Sequence, residues 1–157
     1  MYGNETNFAL VLELNGDMLN KSNVAMNILL DLFSISHISS RSPCPHIVIN
    51  AGFKIHEIAY FQRSLEVALR NARRFTIWGR GLGVFVSNTP VVHIRWNVDE
   101  SLNEFSRQIS AYLVSAQNQG VISSYSQDLN WVPKTTLGFE DTSYEHLSGI
   151  IGSINST

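Results

Sequence analysis

The stretch WVPKTTLGFED, residues 131–141, carries the pattern on which the expected fold depends. A proline precedes a short run in which polar and apolar residues alternate, so we predict a β-strand over 134–139. The stretch CPHIVINAGF, residues 44–53, has the same form and predicts a strand over 46–53. Each predicted strand begins at a basic residue directly after the proline, Lys134 in one strand and His46 in the other. The two stretches therefore share one pattern, in which a proline is followed by a basic residue and a predicted strand.

The rest of the sequence alternates between helical and strand-like patterns. Apolar residues recur at helical spacing within 25–33, 58–72, 102–116 and 147–154. Further strand-like runs occur at 8–14, 74–78, 84–87 and 91–96. The resulting order, β-α-β-α-β-β-β-α-β-α, is typical of an α+β or α/β domain with helices on one side of one or two sheets.

Local signals refine the ends of these elements. The capping boxes SLNE (101–104) and TSYE (142–145) predict the starts of the last two helices. The segment SNTP (87–90) predicts a hairpin turn, and the polar segment 117–130 predicts a long surface loop. GRGLG (79–83) has the wrong spacing for a dinucleotide fingerprint and predicts a tight turn.

Composition limits the classes of function. The chain has 157 residues, of which 44% are hydrophobic and 15% charged, so we expect one globular domain over 1–157. Its net charge of −2 gives no general attraction to nucleic acid or to a membrane, so any anion binding must be local. The apolar runs are shorter than a membrane span, and the start of the sequence is typical of a first strand and not of a signal peptide.

The single cysteine, Cys44, allows no intramolecular disulfide and favours a reducing cytoplasm. No group of His, Cys, Asp and Glu residues has the spacing of metal ligands, so we expect no metal and no cofactor. Arg70, Arg73 and Arg74 are predicted to lie at a helix C-terminus, where they would interact favourably with the helix dipole.

Alternation within the strands groups several polar side chains on uncovered faces. His93 and Arg95 oppose the apolar residues of 91–96, and Lys134 shares a face with Thr136. Together with His46, these side chains predict an anion-binding concavity that suits phosphate. The alternative is an ordinary solvated sheet face, which is the favoured interpretation of His93 and Arg95 taken alone.

PHIVI (45–49) and PKTTL (133–137) resemble the paired H-x-T/S motifs of the two-histidine (2H) phosphoesterase superfamily, which includes 2′-5′ RNA ligase-like proteins and cyclic phosphodiesterases. The segment 75–96, with GLGVF at 81–85, is similar to the strands between the motifs in that family. The resemblance covers nearly the whole chain. It implies a bilobal α+β fold with pseudo-two-fold symmetry, antiparallel sheets, outer helices and a central cleft.

The chemistry that the resemblance implies is metal-free attack on phosphodiesters, notably 2′,3′-cyclic phosphates of nucleotides or RNA ends. One histidine serves as general base and the other as general acid, while two hydroxyls bind phosphoryl oxygens. The implied catalytic residues here are His46, Lys134 and Thr136, and the implied substrate-binding positions are Val48, His93, Arg95 and Arg80.

Two of the four motif positions depart from the family pattern. Val48 replaces the first Thr or Ser and cannot donate a hydrogen bond to phosphate. Lys134 replaces the second histidine, and a protonated lysine can bind phosphate or donate a proton but cannot act as a base without strong desolvation. These changes permit a reaction in one direction, with His46 as base and Lys134 as acid.

Three functions stay open at this point. The first is a phosphoesterase that acts on a cyclic nucleotide or RNA terminus as a monomer, with weakened activity. The second is a non-catalytic binder of nucleotides or RNA ends, which the changes at Val48 and Lys134 favour. The third is a protein-interaction domain whose cleft is vestigial and has no catalytic role.

Overall fold

Helices and strands of an α+β fold account for the regular structure of residues 7–42 and 44–156, the part of the chain described by this computed structural model. The helices are α1 (Gly16–Phe33), α2 (His37–Arg41), α3 (Ile58–Ala68), α4 (Glu100–Asn118) and α5 (Leu147–Asn155). The strands are β1 (Phe8–Glu13), β2 (His46–Ile55), β3 (Gly79–Phe85), β4 (Val91–Trp96), β5 (Ile122–Ser123) and β6 (Lys134–Gly138). A 3₁₀ turn, Tyr144–His146, precedes α5. The α+β class predicted from the sequence is confirmed.

The strands form two three-stranded sheets, ordered β1-β2-β5 and β3-β4-β6. β5 pairs antiparallel with β2, and β4 pairs antiparallel with both β3 and β6. β3 and β4 form a hairpin whose last pair is Phe85 with Val91, so the predicted turn at 87–90 is confirmed. No helix in the described part of the chain is long and apolar enough to cross a membrane.

Contacts divide the chain into two compact units. Of the described residues, the first contains 7–11, Val48–Ile77 and Val98–Val132. Within it, the predicted periodicity of α4 is confirmed, since Leu102, Ile109, Leu113 and Ala116 are all buried. The α3 and α4 helices meet at Phe61 and Tyr112, whose ring centroids are 5.5 Å apart. The Tyr112 hydroxyl also donates a hydrogen bond to the Phe61 carbonyl at 3.0 Å.

The second unit contains Leu12–Ile47, Trp78–Asn97 and the residues from Pro133 onward. Helix α1 packs against β6 and α5. Leu29 of α1, Leu137 of β6 and Ile150 of α5 are at most 2% exposed. Full burial of one such side chain stabilises a fold by about 1.5–3 kcal/mol. Helix α1, with α5 packed on it, covers the apolar side of the β3-β4-β6 sheet, and polar side chains lie on its other side.

Three predicted element positions are wrong. The run 74–78 is not a strand. The Phe75 ring packs on that of Phe105, with the centroids 5.6 Å apart. The backbone makes a hydrogen bond to the neighbouring sheet only at Trp78, whose carbonyl accepts from the Asn97 amide. GRGLG is not a turn: it lies in β3, where a register shift follows Gly79 and Gly81 has a φ of 83°. The segment 117–130 is not all loop, since it contains β5.

The predicted helix starts are also shifted. Asp99, not Ser101, caps α4 by accepting from the Leu102 amide at 2.9 Å, because its short carboxylate reaches the free amides of the first turn. Thr142 does not cap a helix, since its hydroxyl donates to the Pro90 carbonyl and α5 begins only at Leu147. The hydroxyl of Thr142 thus ties the end of the β3-β4 hairpin to the segment before α5.

Candidate functional site

The basic residues of β4 and β6 lie on one face of the β3-β4-β6 sheet. Arg95 pairs with Lys134 across the two strands, and His93 pairs with Thr136. Directly opposed residues of neighbouring strands point to the same side of a sheet, and residues two apart do the same. Alternation in the sequence predicted this grouping. We call the four side chains, His93, Arg95, Lys134 and Thr136, the basic face.

Lys134 and Thr136 are in direct contact within the basic face. The Lys134 Nζ donates a hydrogen bond to Oγ1 of Thr136 at 2.8 Å, and both residues are half-buried. Burial lowers the pKa of Lys134 below its ordinary value, because a charged ammonium loses solvation there. The ammonium keeps two N–H groups and the threonine keeps its own O–H. The pair therefore offers convergent donors to an anion.

His93 lies beneath this surface and is only 2% exposed. Its Nδ1 is 3.1 Å from the Val91 carbonyl, which fixes Nδ1 as the protonated nitrogen and leaves Nε2 with a lone pair. Burial is the main cause that lowers the pKa of His93; the bond to the carbonyl opposes that shift, and the charges of Lys134 and Arg95 add to it. The imidazole is therefore neutral near pH 7 and forms part of the floor of the site.

Arg95 and Arg80 occupy different positions. The Arg95 side chain is exposed and passes over Gly83 of β3, so its guanidinium extends from the basic face into solvent. The guanidinium of Arg80 donates from Nε and Nη2 to Oδ1 of Asn97, at 3.2 and 2.9 Å. Arg95 therefore lies on the same side of the sheet as Lys134, whereas Arg80 is held against Asn97.

His46 begins β2, in the other sheet but in the same compact unit as the basic face. Its Nδ1 lies 2.8 Å from the Cys44 carbonyl and therefore carries the proton. The main chain at this corner is anchored by a hydrogen bond from the Leu14 amide to the Pro45 carbonyl at 3.1 Å. The ring is half-buried, and in a neutral imidazole with Nδ1 protonated it is Nε2 that can act as a general base.

Val48 lies two residues further along β2 and belongs to the first compact unit. Its side chain has no hydrogen-bonding group. Its carbonyl accepts from the indole nitrogen of Trp131 at 2.8 Å. Val48 thus supplies an apolar surface and a main-chain acceptor that is already paired.

Two residues of the site were missed by the sequence-based prediction, Gly83 and Phe85 of β3. The Phe85 ring is 37% exposed, and its centroid is 4.3 Å from that of His93 and 5.7 Å from the Lys134 Nζ. The parity of GLGVF could have indicated both, since Gly83 and Phe85 alternate with Leu82 and Val84. Phe85 gives the basic face an open aromatic surface beside its cation.

Among residues 7–42 and 44–156, no three His, Cys, Asp or Glu side chains are grouped closely enough to hold a metal ion. Comparisons of this chain with protein-family models, with curated proteins and with solved structures give no match.

Proposed function

We propose that the basic face binds a phosphate group and that the protein is a 2H phosphoesterase-like hydrolase. Its substrate would be a 2′,3′-cyclic phosphate or another phosphodiester of a nucleotide or RNA end. The observation that carries the proposal is the 2.8 Å contact between Lys134 Nζ and Thr136 Oγ1, with Arg95 on the same side of the sheet. A half-buried ammonium beside a hydroxyl is a suitable receptor for phosphoryl oxygens, because charge-assisted hydrogen bonds strengthen as water is excluded.

The proposed reaction runs in one direction. Nε2 of His46 accepts a proton from water, and the water oxygen forms a bond to phosphorus. The bond from phosphorus to the leaving ribose oxygen breaks, and Lys134 donates a proton to that oxygen. Burial suits Lys134 to this role because it lowers the ammonium pKa below its ordinary value and so makes the group a stronger acid. Thr136 and Arg95 bind the non-bridging oxygens, and Phe85 receives the base.

This mechanism requires His46 to approach the same phosphate as Lys134. Support comes from their membership of one compact unit and from the Nδ1 contact with the Cys44 carbonyl, which makes Nε2 the acceptor atom of a neutral imidazole. The proposal includes the two-lobed fold with pseudo-two-fold symmetry that the family resemblance implies. In this proposal the protein acts as a cytoplasmic monomer.

The second candidate is a non-catalytic binder of nucleotides or RNA ends. Val48 favours it, since the site then has one hydroxyl where the family pattern has two. A binder needs Lys134, Thr136, Arg95 and Phe85, but it does not need the lone pair of His46. The two candidates therefore differ in what removal of the His46 imidazole does.

The deciding experiment measures binding and hydrolysis of a 2′,3′-cyclic nucleotide by the wild type and by Lys134→Met, with Lys21→Met as a matched control on the exposed surface of α1. We expect Lys134→Met to lower turnover by about 10²-fold or more, the usual loss for one general acid, and Lys21→Met to have no effect. His46→Ala should abolish turnover. Binding without turnover, unchanged in His46→Ala, would identify the binder. Equal activity of Lys134→Met and wild type would exclude Lys134 from the chemistry.

A further inference from the structure

A cavity of about 550 Å³ lies in the first compact unit, between residues 71–75 and the first turns of α4. Its volume is within the range of about 300–1,000 Å³ that is typical of small-molecule sites. The cavity contains none of the residues of the basic face and none of the motif residues. It therefore has to be interpreted on its own chemistry.

One wall of the cavity is cationic. The sequence predicts that Arg73 and Arg74 lie at a helix C-terminus, but α3 ends at Ala68 and the residues from 72 to 78 have no regular structure. Both arginines line the cavity, both are exposed, and neither has an ion-pair partner among residues 7–42 and 44–156. Two adjacent unpaired guanidiniums form a receptor for a phosphate, which they can bind with several parallel hydrogen bonds.

The opposite wall is formed by α4 and is acidic. Glu104 is already paired, since it accepts from Arg107 at 2.8 Å and from Gln108 at 3.1 Å. Glu100 lines the same cavity and has no partner in the described part of the chain. The unpaired charges of the cavity are therefore two positive and one negative, so an anionic ligand with a hydrogen-bond donor at its far end would satisfy all of them.

An aromatic pair joins these walls. Phe75 follows the two arginines and Phe105 lies one turn of helix beyond Ser101; their rings are 5.6 Å apart at an angle of 49°, and both are half-buried. Their remaining exposed surface is the apolar part of the cavity. Flat heteroaromatic rings stack favourably on such side chains.

We propose that this cavity binds a nucleoside monophosphate whose base carries an exocyclic amine. The phosphate binds to Arg73 and Arg74, the base packs against Phe75 and Phe105, and the amine donates to the carboxylate of Glu100. Carboxylates accept from the amino group of cytosine in this way, whereas uracil presents a carbonyl at the same position. The proposal is independent of the function assigned to the basic face.

Calorimetric titration of the Lys134→Met protein tests this site, because that substitution removes the central cation of the basic face. CMP and UMP form a matched ligand pair, and cytidine and inorganic phosphate separate the contributions of base and phosphate. We expect CMP to bind about tenfold more tightly than UMP, and Glu100→Ala to reduce that ratio. Inorganic phosphate and cytidine should each bind more weakly than CMP.

The matched protein variants are Arg73→Gln with Arg74→Gln in one protein, and Arg63→Gln with Arg70→Gln in the control. All four arginines are exposed, and only the first two line the cavity. The first variant should weaken CMP binding by tenfold or more and leave cytidine unchanged, while the control should match its parent. Phe105→Leu should weaken both ligands. CMP affinity that survives the Arg73 and Arg74 substitutions, or affinities that are equal for CMP and UMP, would overturn the proposal.

Discussion

The imidazole of His93 lies directly over Gly83 on the neighbouring strand. A Cβ added at Gly83 would be 2.5 Å from Nε2 of His93 and 2.7 Å from Cγ of Arg95. Glycine is therefore required at this position by close approach and not by its backbone angles. The missing side chain leaves room for the His93 ring, whose centroid lies 4.3 Å from that of Phe85.

Gly83→Ala should destabilise the protein by about 1–3 kcal/mol, the usual cost of overpacking a well-packed site. The added methyl group must displace the His93 ring or the stem of Arg95, and the ring has little room because it is 2% exposed. The free energy of unfolding, measured with urea, checks this expectation.

Gly152→Ala is the matched control. Gly152 lies in α5, and an added Cβ meets no heavy atom within 4 Å. This variant should be neutral or up to about 1 kcal/mol more stable, since alanine is the better helix former. If both alanine variants have the same stability, the packing of His93 on Gly83 does not constrain the fold.

His93 should make the protein sensitive to acid. Its pKa is lowered in the folded state, so the unfolded chain binds the proton first as the pH falls through the ordinary value of 6.5. Stability from this group is therefore present above about pH 6.5 and is lost as the pH falls toward the lowered pKa. The contribution of one proton is at most about 1.4 kcal/mol per pH unit.

His93→Gln should remove this part of the pH dependence. Urea midpoints at several pH values between about 7.5 and 5 would compare the slopes of the variant and the wild type, while the other histidines contribute equally to both. Lys134 and Arg95 are the charged groups that face His93, and both contribute to lowering its pKa. Parallel slopes would show that the imidazole accepts its proton equally well in the folded and unfolded states.

How far the sequence predicts this structure depends on which force dominates at each element. The spacing of apolar residues predicted α4 and the polar side of β6 correctly, because each of these elements buries one face. It failed at 74–78, where β-branched and aromatic residues suggested a strand. The Phe75 ring packs on Phe105 there, and residues 74–78 belong to no strand.

The candidate site was likewise predicted only in part. Strand alternation was enough to group Lys134 with Thr136 and His93 with Arg95. It could not reveal that His93 is covered, because alternation assigns a side chain to a face and gives no depth. Nor could it find Gly83, since a contact between strands depends on register, which only the β3-β4 pairing supplies.

Phe85→Leu tests whether the aromatic surface beside Lys134 receives a base. Leucine keeps an apolar cover on His93 but has no flat π face. We expect the dissociation constant of a 2′,3′-cyclic nucleotide to rise by about 5- to 100-fold, the scale of one lost stacking contact, while the affinity for inorganic phosphate stays unchanged. Val86→Ala, at a residue 82% exposed, is the control in the same strand region. Equal losses for nucleotide and phosphate would mean that Phe85 only supports the fold of the basic face.

The last prediction concerns the two positions that depart from the 2H pattern. Lys134→His should retain or raise turnover of a 2′,3′-cyclic nucleotide, since an imidazole near its ordinary pKa can both donate and accept a proton at pH 7. The resemblance further implies that Val48→Thr combined with Lys134→His gives the most active protein, because these two changes restore both residue types of the 2H pattern. His46→Ala should abolish activity in each background, which steady-state rates at pH 7 would measure. Activity that appears only in the double variant would identify the natural protein as a binder, and a double variant without activity would contradict the proposed alignment of His46 and Lys134 on one phosphate.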